Sequence, residues 1–275
     1  MNLKYLFKYY KLGLFASVLV VIYIFIALFA PYIAPYDPLE MHFIDNLKKP
    51  NSSYWFGTDR YGRDVLSRII YGSRLSLEVS GIAVFVSMFI GTIFAICAGY
   101  FRGRTEIIIM RVIDVLMSFP GIFLALMLVG ILGPSKWTVT IALTLVYIPR
   151  NARVVHSKVI EEREKLYIRA AESMGAGFFR IAWRHLLPNV LPVMLIQSTF
   201  IFATIILAET SLSFLGAGAP PPEPSWGNVM SEASHFMNQA PWLLIFPGLT
   251  IFGFVMCLNI VGDFLREVLD PKTNR

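Results

Sequence analysis

The stretch RAAESMGAGFFRIAWRHLLPN, Arg169–Asn189, separates two strongly apolar segments, yet it carries more pattern than a connector needs. Tyr167, Ala170, Ala171 and Met174 recur at i, i+3, i+4 and i+7, a helical stripe with small residues at its centre. Lys165, Arg169, Glu172 and Ser173 lie mostly off that stripe. Gly175 and Gly177, on either side of Ala176, permit a turn. Phe179, Ala182, Trp183 and Leu186 form a second stripe flanked by Arg180, Arg184 and His185, and Pro188 ends the helix or marks its re-entry into a membrane. Two short amphipathic helices joined at glycine make a compact knob, on which paired alanines let another surface approach closely. By pattern alone, an interfacial helix resting on anionic lipid and an element that docks a protein fit equally well.

Composition says what flanks the knob. The chain has 275 residues, 56% hydrophobic and 15% charged, with a mean hydropathy of +0.62. A soluble domain of this length carries more charge and shorter apolar runs, so a polytopic membrane protein is expected. The net charge of +6 comes from short clusters beside apolar runs, which is a pattern of membrane orientation and not of a nucleic-acid surface. Cys97 and Cys257 lie inside apolar runs and read as small buried hydrophobes. His42, His156, His185 and His235 show no metal-ligand spacing.

A helix crossing ~30 Å of hydrocarbon needs about 20 apolar residues. Candidates are Leu12–Ala30, Val79–Gly99, Val112–Leu132, a shorter Trp137–Pro149, Val190–Leu215 and Trp242–Phe264. The fourth works as a span only if its helix passes Pro149 and continues through RNARVVHSKV. Lys4, Lys8 and Lys11 place the N-terminus inside, and the first apolar run is longer than the ~7–15 residues of a signal peptide's core. Alternation then puts Arg102, Arg104 and Arg111, the loop 150–189, and the tail with Arg266, Lys272 and Arg275 inside. The outer segment 216–241 contains no Lys or Arg. The exception is Tyr32–Leu77, outside yet carrying Lys48, Lys49, Arg60, Arg63, Arg68 and Arg74 among interleaved acids. The expected organisation is a first span plus long external loop (1–75), then a five-helix core (76–275) that carries the knob.

The run AAESMG followed by HLLPN resembles the EAA loop of permease subunits of ATP-binding-cassette importers. In that family this loop forms coupling helices that insert into a cleft on a separate ATPase. Arg169 stands where the family's name has glutamate, and arginine there is familiar in the peptide branch. FGTDRYGRDVLSRIIYGSRLSL (Phe56–Leu77), DVLMSFPGIFLAL (Asp114–Leu126), AETSLSFLGAGAPPPEPSWG (Ala208–Gly227) and NIVGDFLREVLDP (Asn259–Pro271) resemble the branch that carries dipeptides, oligopeptides or nickel. The C-type subunit of peptide permeases is most similar, through its long first outer loop.

The resemblance implies an all-α permease fold of the type I importer (MetI-like) kind with about six spans in the cytoplasmic membrane and both termini cytoplasmic. It implies a second related permease, two ATPases and an extracytoplasmic solute-binding protein as partners, besides membrane lipid. ATP and magnesium would be held by the ATPases, with no cofactor in this chain. It also assigns coupling to Tyr167, Arg169, Ala170, Ala171, Glu172, Met174, Gly175, Ala176, Phe179 and Arg184. A charge at Ala171 or a bulky residue at Gly175 is then expected to uncouple uptake from ATP hydrolysis without loss of insertion.

No G-x-x-x-x-G-K-S/T sequence occurs, so no P-loop for ATP is present. Gly91, Ala95 and Gly99 make a small-residue row suited to close helix packing. Gln197, Glu209 and Asn259 are the intramembrane polar residues that serve as translocation or gate candidates. Glu209 is expected to reach the outer interface or pair with a loop cation, in a structural or gate-closing role. Asp114 with Arg111, and Asp263 with Arg266, read as local i, i+3 pairs. Trp226, Val229, Met230 and Ala233 suggest an amphipathic segment at the outer interface. An ion-driven transporter would need paired broken helices and buried ionisable groups near the midplane. A membrane-embedded enzyme would need a nucleophile and base. Neither pattern stands out.

Overall fold

The computed structural model describes residues 10–269; Lys4, Lys8, Lys272, Arg275 and the closing Asp270–Pro271 of the last motif lie outside the described residues. Among the described residues the regular structure is helical: α1 (Lys11–Leu28), α2 (Ala30–Ile33), α3 (Val65–Phe101), α4 (Gly103–Met117), α5 (Gly121–Leu132), α6 (Lys136–Arg163), α7 (Leu166–Ser173), α8 (Phe178–Ile181), α9 (Leu187–Phe214), α10 (Trp226–Ser234) and α11 (Trp242–Leu269). The stretches Lys11–Leu28, Val65–Phe101, Phe178–Phe214 and Trp242–Leu269 are long and apolar enough to cross a membrane, and the bent pair Gly103–Met117 with Gly121–Leu132 makes a fifth candidate. Helix α6 is the sixth long element. Its 28 residues run unbroken through Pro149, which is the continuation the short apolar run required.

Two boundaries differ from the sequence reading. Helix α3 begins at Val65 rather than near Val79, because Asp64 caps it by accepting the Ser67 amide. Its first turns interleave Ser67, Arg68, Ser73 and Arg74 with apolar residues, so hydropathy alone places the start too late. The expected continuous span Val112–Leu132 is broken, with an 85° bend between α4 and α5. Pro120 lacks an N–H and disfavours helical backbone at Phe119, so the chain turns within SFPG and restarts at Gly121.

The centre of the bundle is the α3–α6 contact. A Cβ on Gly91 would stand 2.9 Å from the Asn151 side chain and 3.0 Å from the Ala152 amide, and one on Gly99 would stand 2.6 Å from Val159. Ala95 is buried in the same seam with Val155 and Val159. Small residues at this four-residue interval let the two backbones approach, and Asn151 Nδ2 donates to Ser87 Oγ at 3.0 Å across the seam. Helix α1 joins from the side. A Cβ on Gly13 would lie 2.5 Å from the Phe264 ring, and the Tyr23 hydroxyl donates to the Thr250 carbonyl at 3.2 Å.

The segment between α1 and α3 folds into a cap on the bundle end. Phe56 stacks on Phe246 at 4.0 Å. Arg63 Nε contacts Asp59 Oδ2 at 2.7 Å, and Arg68 Nη1 contacts the same oxygen at 2.7 Å. Both guanidiniums also reach Glu232 of α10. Two of the cations that looked misplaced in this loop are therefore buried in ion pairs. The apolar stripe of α10 faces the protein: Trp226, Val229 and Ala233 are buried, and the Trp226 indole donates to the Ile69 carbonyl at 3.1 Å.

Candidate coupling site

The knob hangs between the ends of α6 and α9, and its two short helices close on one another through a glycine turn. Gly175 has φ +81°, its amide donates to the Glu172 carbonyl, and the Ala176 amide donates to the Ala171 carbonyl. This pair of bonds is a Schellman stop, which requires a left-handed residue just past the helix end. Space around Gly175 is open, so backbone conformation is what selects glycine there.

Which side chains face the bundle differs from the sequence reading. The inward face is Ile168, Ile181 and Leu186, packed with Met88, Ile96, Val155 and Val159 of α3 and α6. Ala171 is only 6% exposed, so its side chain faces the protein and not outward. Tyr167, Ala170 and Met174, assigned to the same stripe, point outward. Met174 is 80% exposed, Phe179 84% and Trp183 77%, three large apolar side chains turned out from the knob, and Arg184 is exposed as well.

Polar contacts lock the knob to the helices behind it. Glu162, at the end of α6, is buried and accepts from Lys165 Nζ at 2.6 Å and the Tyr167 hydroxyl at 2.8 Å. Burial pushes its carboxyl up, but the bonds from Lys165 and Tyr167 outweigh that and hold it below the ordinary value. Burial, then the bond to Glu162, pushes the Tyr167 phenol up to about 12. The same hydroxyl accepts from Asn189 Nδ2 of α9 at 3.2 Å. Tyr167 thus ties α6, α7 and α9 at one atom. Arg169 contacts Glu164 at 3.0 Å and Arg163 contacts Glu172 at 3.7 Å, while Arg102 of the α3–α4 junction also pairs with Glu164. Glu162 escaped the sequence reading, although Lys158 and Lys165 at helical spacing around it were the available signal. Tyr167→Phe, which deletes both hydroxyl bonds, is expected to lower stability by about 1–3 kcal/mol, read as a drop in the unfolding midpoint in detergent.

Of the gate candidates, Glu209 stands apart from Gln197. Glu209 is fully buried in α9, accepts from Ser213 Oγ at 2.8 Å, and has Ser76 and Thr210 beside it. Hydroxyls, and not the expected loop cation, surround it. Gln197 lies twelve residues earlier on α9, about 18 Å away along the axis, and Asn259 Nδ2 donates to the Val255 carbonyl of its own helix at 2.9 Å. Asp114 pairs with Arg153 of α6 rather than with Arg111, and no ion pair joins Asp263 to Arg266 among the described residues. A cavity of about 150 Å³ does open between α5, α6 and α9, walled by Gly121, Tyr147, Arg150, Thr204 and Ala208. The sequence reading named none of these as pathway residues.

Comparison with known proteins gives the arrangement its family. Residues 87–275 match the binding-protein-dependent transport system inner membrane component, and residues 6–50 match the N-terminal TM domain of oligopeptide transport permease C. The dipeptide transport system permease protein DppC of Alkalihalophilus pseudofirmus is 41% identical over 95% of this chain and 86% of its own. The glutathione transport system permease protein GsiD of Pectobacterium atrosepticum is 42% identical over 94% of this chain and 86% of its own. Among solved structures, the inward-facing MetNI methionine ABC transporter matches with a TM-score of 0.62 at 18% identity, over 74% of this chain and 96% of that one, which bears on the fold alone. The chain belongs to the binding-protein-dependent inner-membrane components, multi-pass permease subunits of ATP-binding-cassette importers whose ATPase is a separate subunit.

Proposed function

We propose that this chain forms one half of a translocation pathway for small peptides, paired with a second, related permease. Two ATPases that hold ATP and magnesium drive it, and an extracytoplasmic solute-binding protein delivers the peptide. Peptides are favoured over nickel because the relatives that align along nearly the whole chain are named for dipeptides and glutathione. Both termini and the knob lie on the cytoplasmic side in this reading, with the cap and α10 outside.

The observation that carries the coupling role is an apolar face, Met174, Phe179 and Trp183, exposed on a knob whose other side is buried among α3, α6 and α9. An exposed cluster of this kind on a rigid support marks a protein contact. Closure of the ATPases around two such knobs would push on α6 and α9 through Glu162, Tyr167 and Asn189. That push would open the cavity outward, and hydrolysis would reverse it.

The test is uptake of a labelled dipeptide into proteoliposomes that contain the full complex and its binding protein. Uptake is expected to require ATP inside the compartment bearing the knob and to be indifferent to a protonophore. Uptake that survives ATP depletion and is abolished by an ionophore would instead establish an ion-driven carrier.

A further inference from the structure

At the capped end of the bundle, two cavities share a wall made by Arg74 and Glu78 of α3. One is an apolar groove of about 480 Å³ between α1, α3 and α9, lined by Ile24, Ala27, Leu28, Leu77 and Phe202. The other is a polar basin of about 460 Å³ to which Asp37, Tyr71, Lys136 and Glu223 contribute. Lys136 is committed to Glu78 at 3.1 Å. Arg74, at the junction, has no hydrogen bond or ion pair to any described residue. The Glu223 carboxylate likewise has no partner among the described residues. One oxygen of Asp37 accepts the Leu39 amide at 2.8 Å, leaving the other open.

We propose that the two cavities together form a binding site for an aminophospholipid. An acyl chain lies in the groove, the phosphate meets Arg74, and the primary ammonium meets Asp37 and Glu223. The order of environments along the site, apolar then cationic then anionic, repeats the order of groups along such a lipid. Guanidinium suits phosphate because it presents a fork of donors. With Lys136 neutralised by Glu78, the free charges of the basin are one cation and two carboxylates. A purely anionic headgroup would face those carboxylates unpaired, and a quaternary ammonium would offer them no N–H. The proposal is independent of the solute carried.

The test is native mass spectrometry of the full-length protein released from nanodiscs containing equal parts of phosphatidylethanolamine, phosphatidylglycerol and phosphatidylcholine. The wild type is expected to retain phosphatidylethanolamine in preference to the other two. Arg74→Ala is expected to lose that retention by about tenfold or more, and the double variant Asp37→Asn with Glu223→Gln to keep bound phospholipid but lose the preference. Ile24→Trp, which fills the groove without touching the headgroup contacts, should also lower retention. Unfolding midpoints in lipid-free detergent should match the wild type for Arg74→Ala, separating lost binding from lost folding. Equal retention of the three lipids by the wild type would overturn the proposal. So would undiminished retention by Arg74→Ala, or a cross-link from Leu28→Cys showing the groove filled by the second permease.

Discussion

Arg68→Ala is expected to destabilise the protein by about 3–5 kcal/mol, because it breaks a buried charge network from one side. The Arg68 side chain is 3% exposed and touches Asp59 at 2.7 Å and Glu232 at 2.9 Å. Without it, the Arg63 guanidinium alone must serve two carboxylates that join the cap to α10. An exposed pair offers the contrast. Lys48 contacts Asp45 in the same cap with its side chain 47% exposed, and solvent screening leaves a pair of that kind little to contribute. Unfolding in detergent, followed by cleavage of the 34–64 segment, should separate Arg68→Ala from Lys48→Ala by several degrees. Similar midpoints for the two would refute a structural role for the network. Burial raises the Glu232 carboxyl, but Arg68 and then Arg63 outweigh it and hold the group below 4.5. A depressed acid stabilises the fold above its unfolded value and loses that contribution as pH falls through the lower, folded one. The cap should therefore loosen only at pH below about 4.5, and Glu232→Gln should flatten that acid limb.

The long apolar helices were legible in the sequence because membrane spans are set by composition over about 20 residues. The extension of α6 through Pro149 was legible too, since too short a span demanded it. Features decided by single contacts were less visible. Asp64 starts α3 fourteen residues before the apolar run begins, and a capping side chain leaves no trace in hydropathy. Pro120 was in view, yet the pattern does not say whether a proline kinks a span or bends it by 85°. In α7 the apolar residues occupy more than one face, so spacing alone admitted two stripes. Packing of Ile168 against Val155 and Val159, with Ala171 buried beside it in sequence, selects one face and leaves Tyr167, Ala170 and Met174 outside. The pairing of Arg63 and Arg68 with Glu232, more than 160 residues away along the chain, is a tertiary fact with no local signature.

That choice of face changes which substitution uncouples transport. Ala171→Glu would place a carboxylate at a position only 6% exposed and unseat the knob; it is expected to reduce the yield of folded protein rather than leave an intact but uncoupled one. Phe179→Ala with Trp183→Ala instead removes two large apolar side chains that touch little of this chain, being 84% and 77% exposed. Truncation of aromatic anchors costs about 2 kcal/mol or more each at a protein contact, so the pair should weaken ATPase association by roughly a thousandfold, non-additivity aside. The expected pattern is an unchanged unfolding midpoint for the permease alone, loss of co-purifying ATPase, and dipeptide uptake near background. Gly175→Val tests the geometry of the same surface from its hinge: the left-handed turn at φ +81° is a strained site for a β-branched residue, which should misdirect Met174 and Phe179 while keeping their chemistry. If the double alanine variant retained full ATPase association and uptake, the exposed face would be a lipid contact, and the energy of nucleotide closure would have to enter the bundle elsewhere.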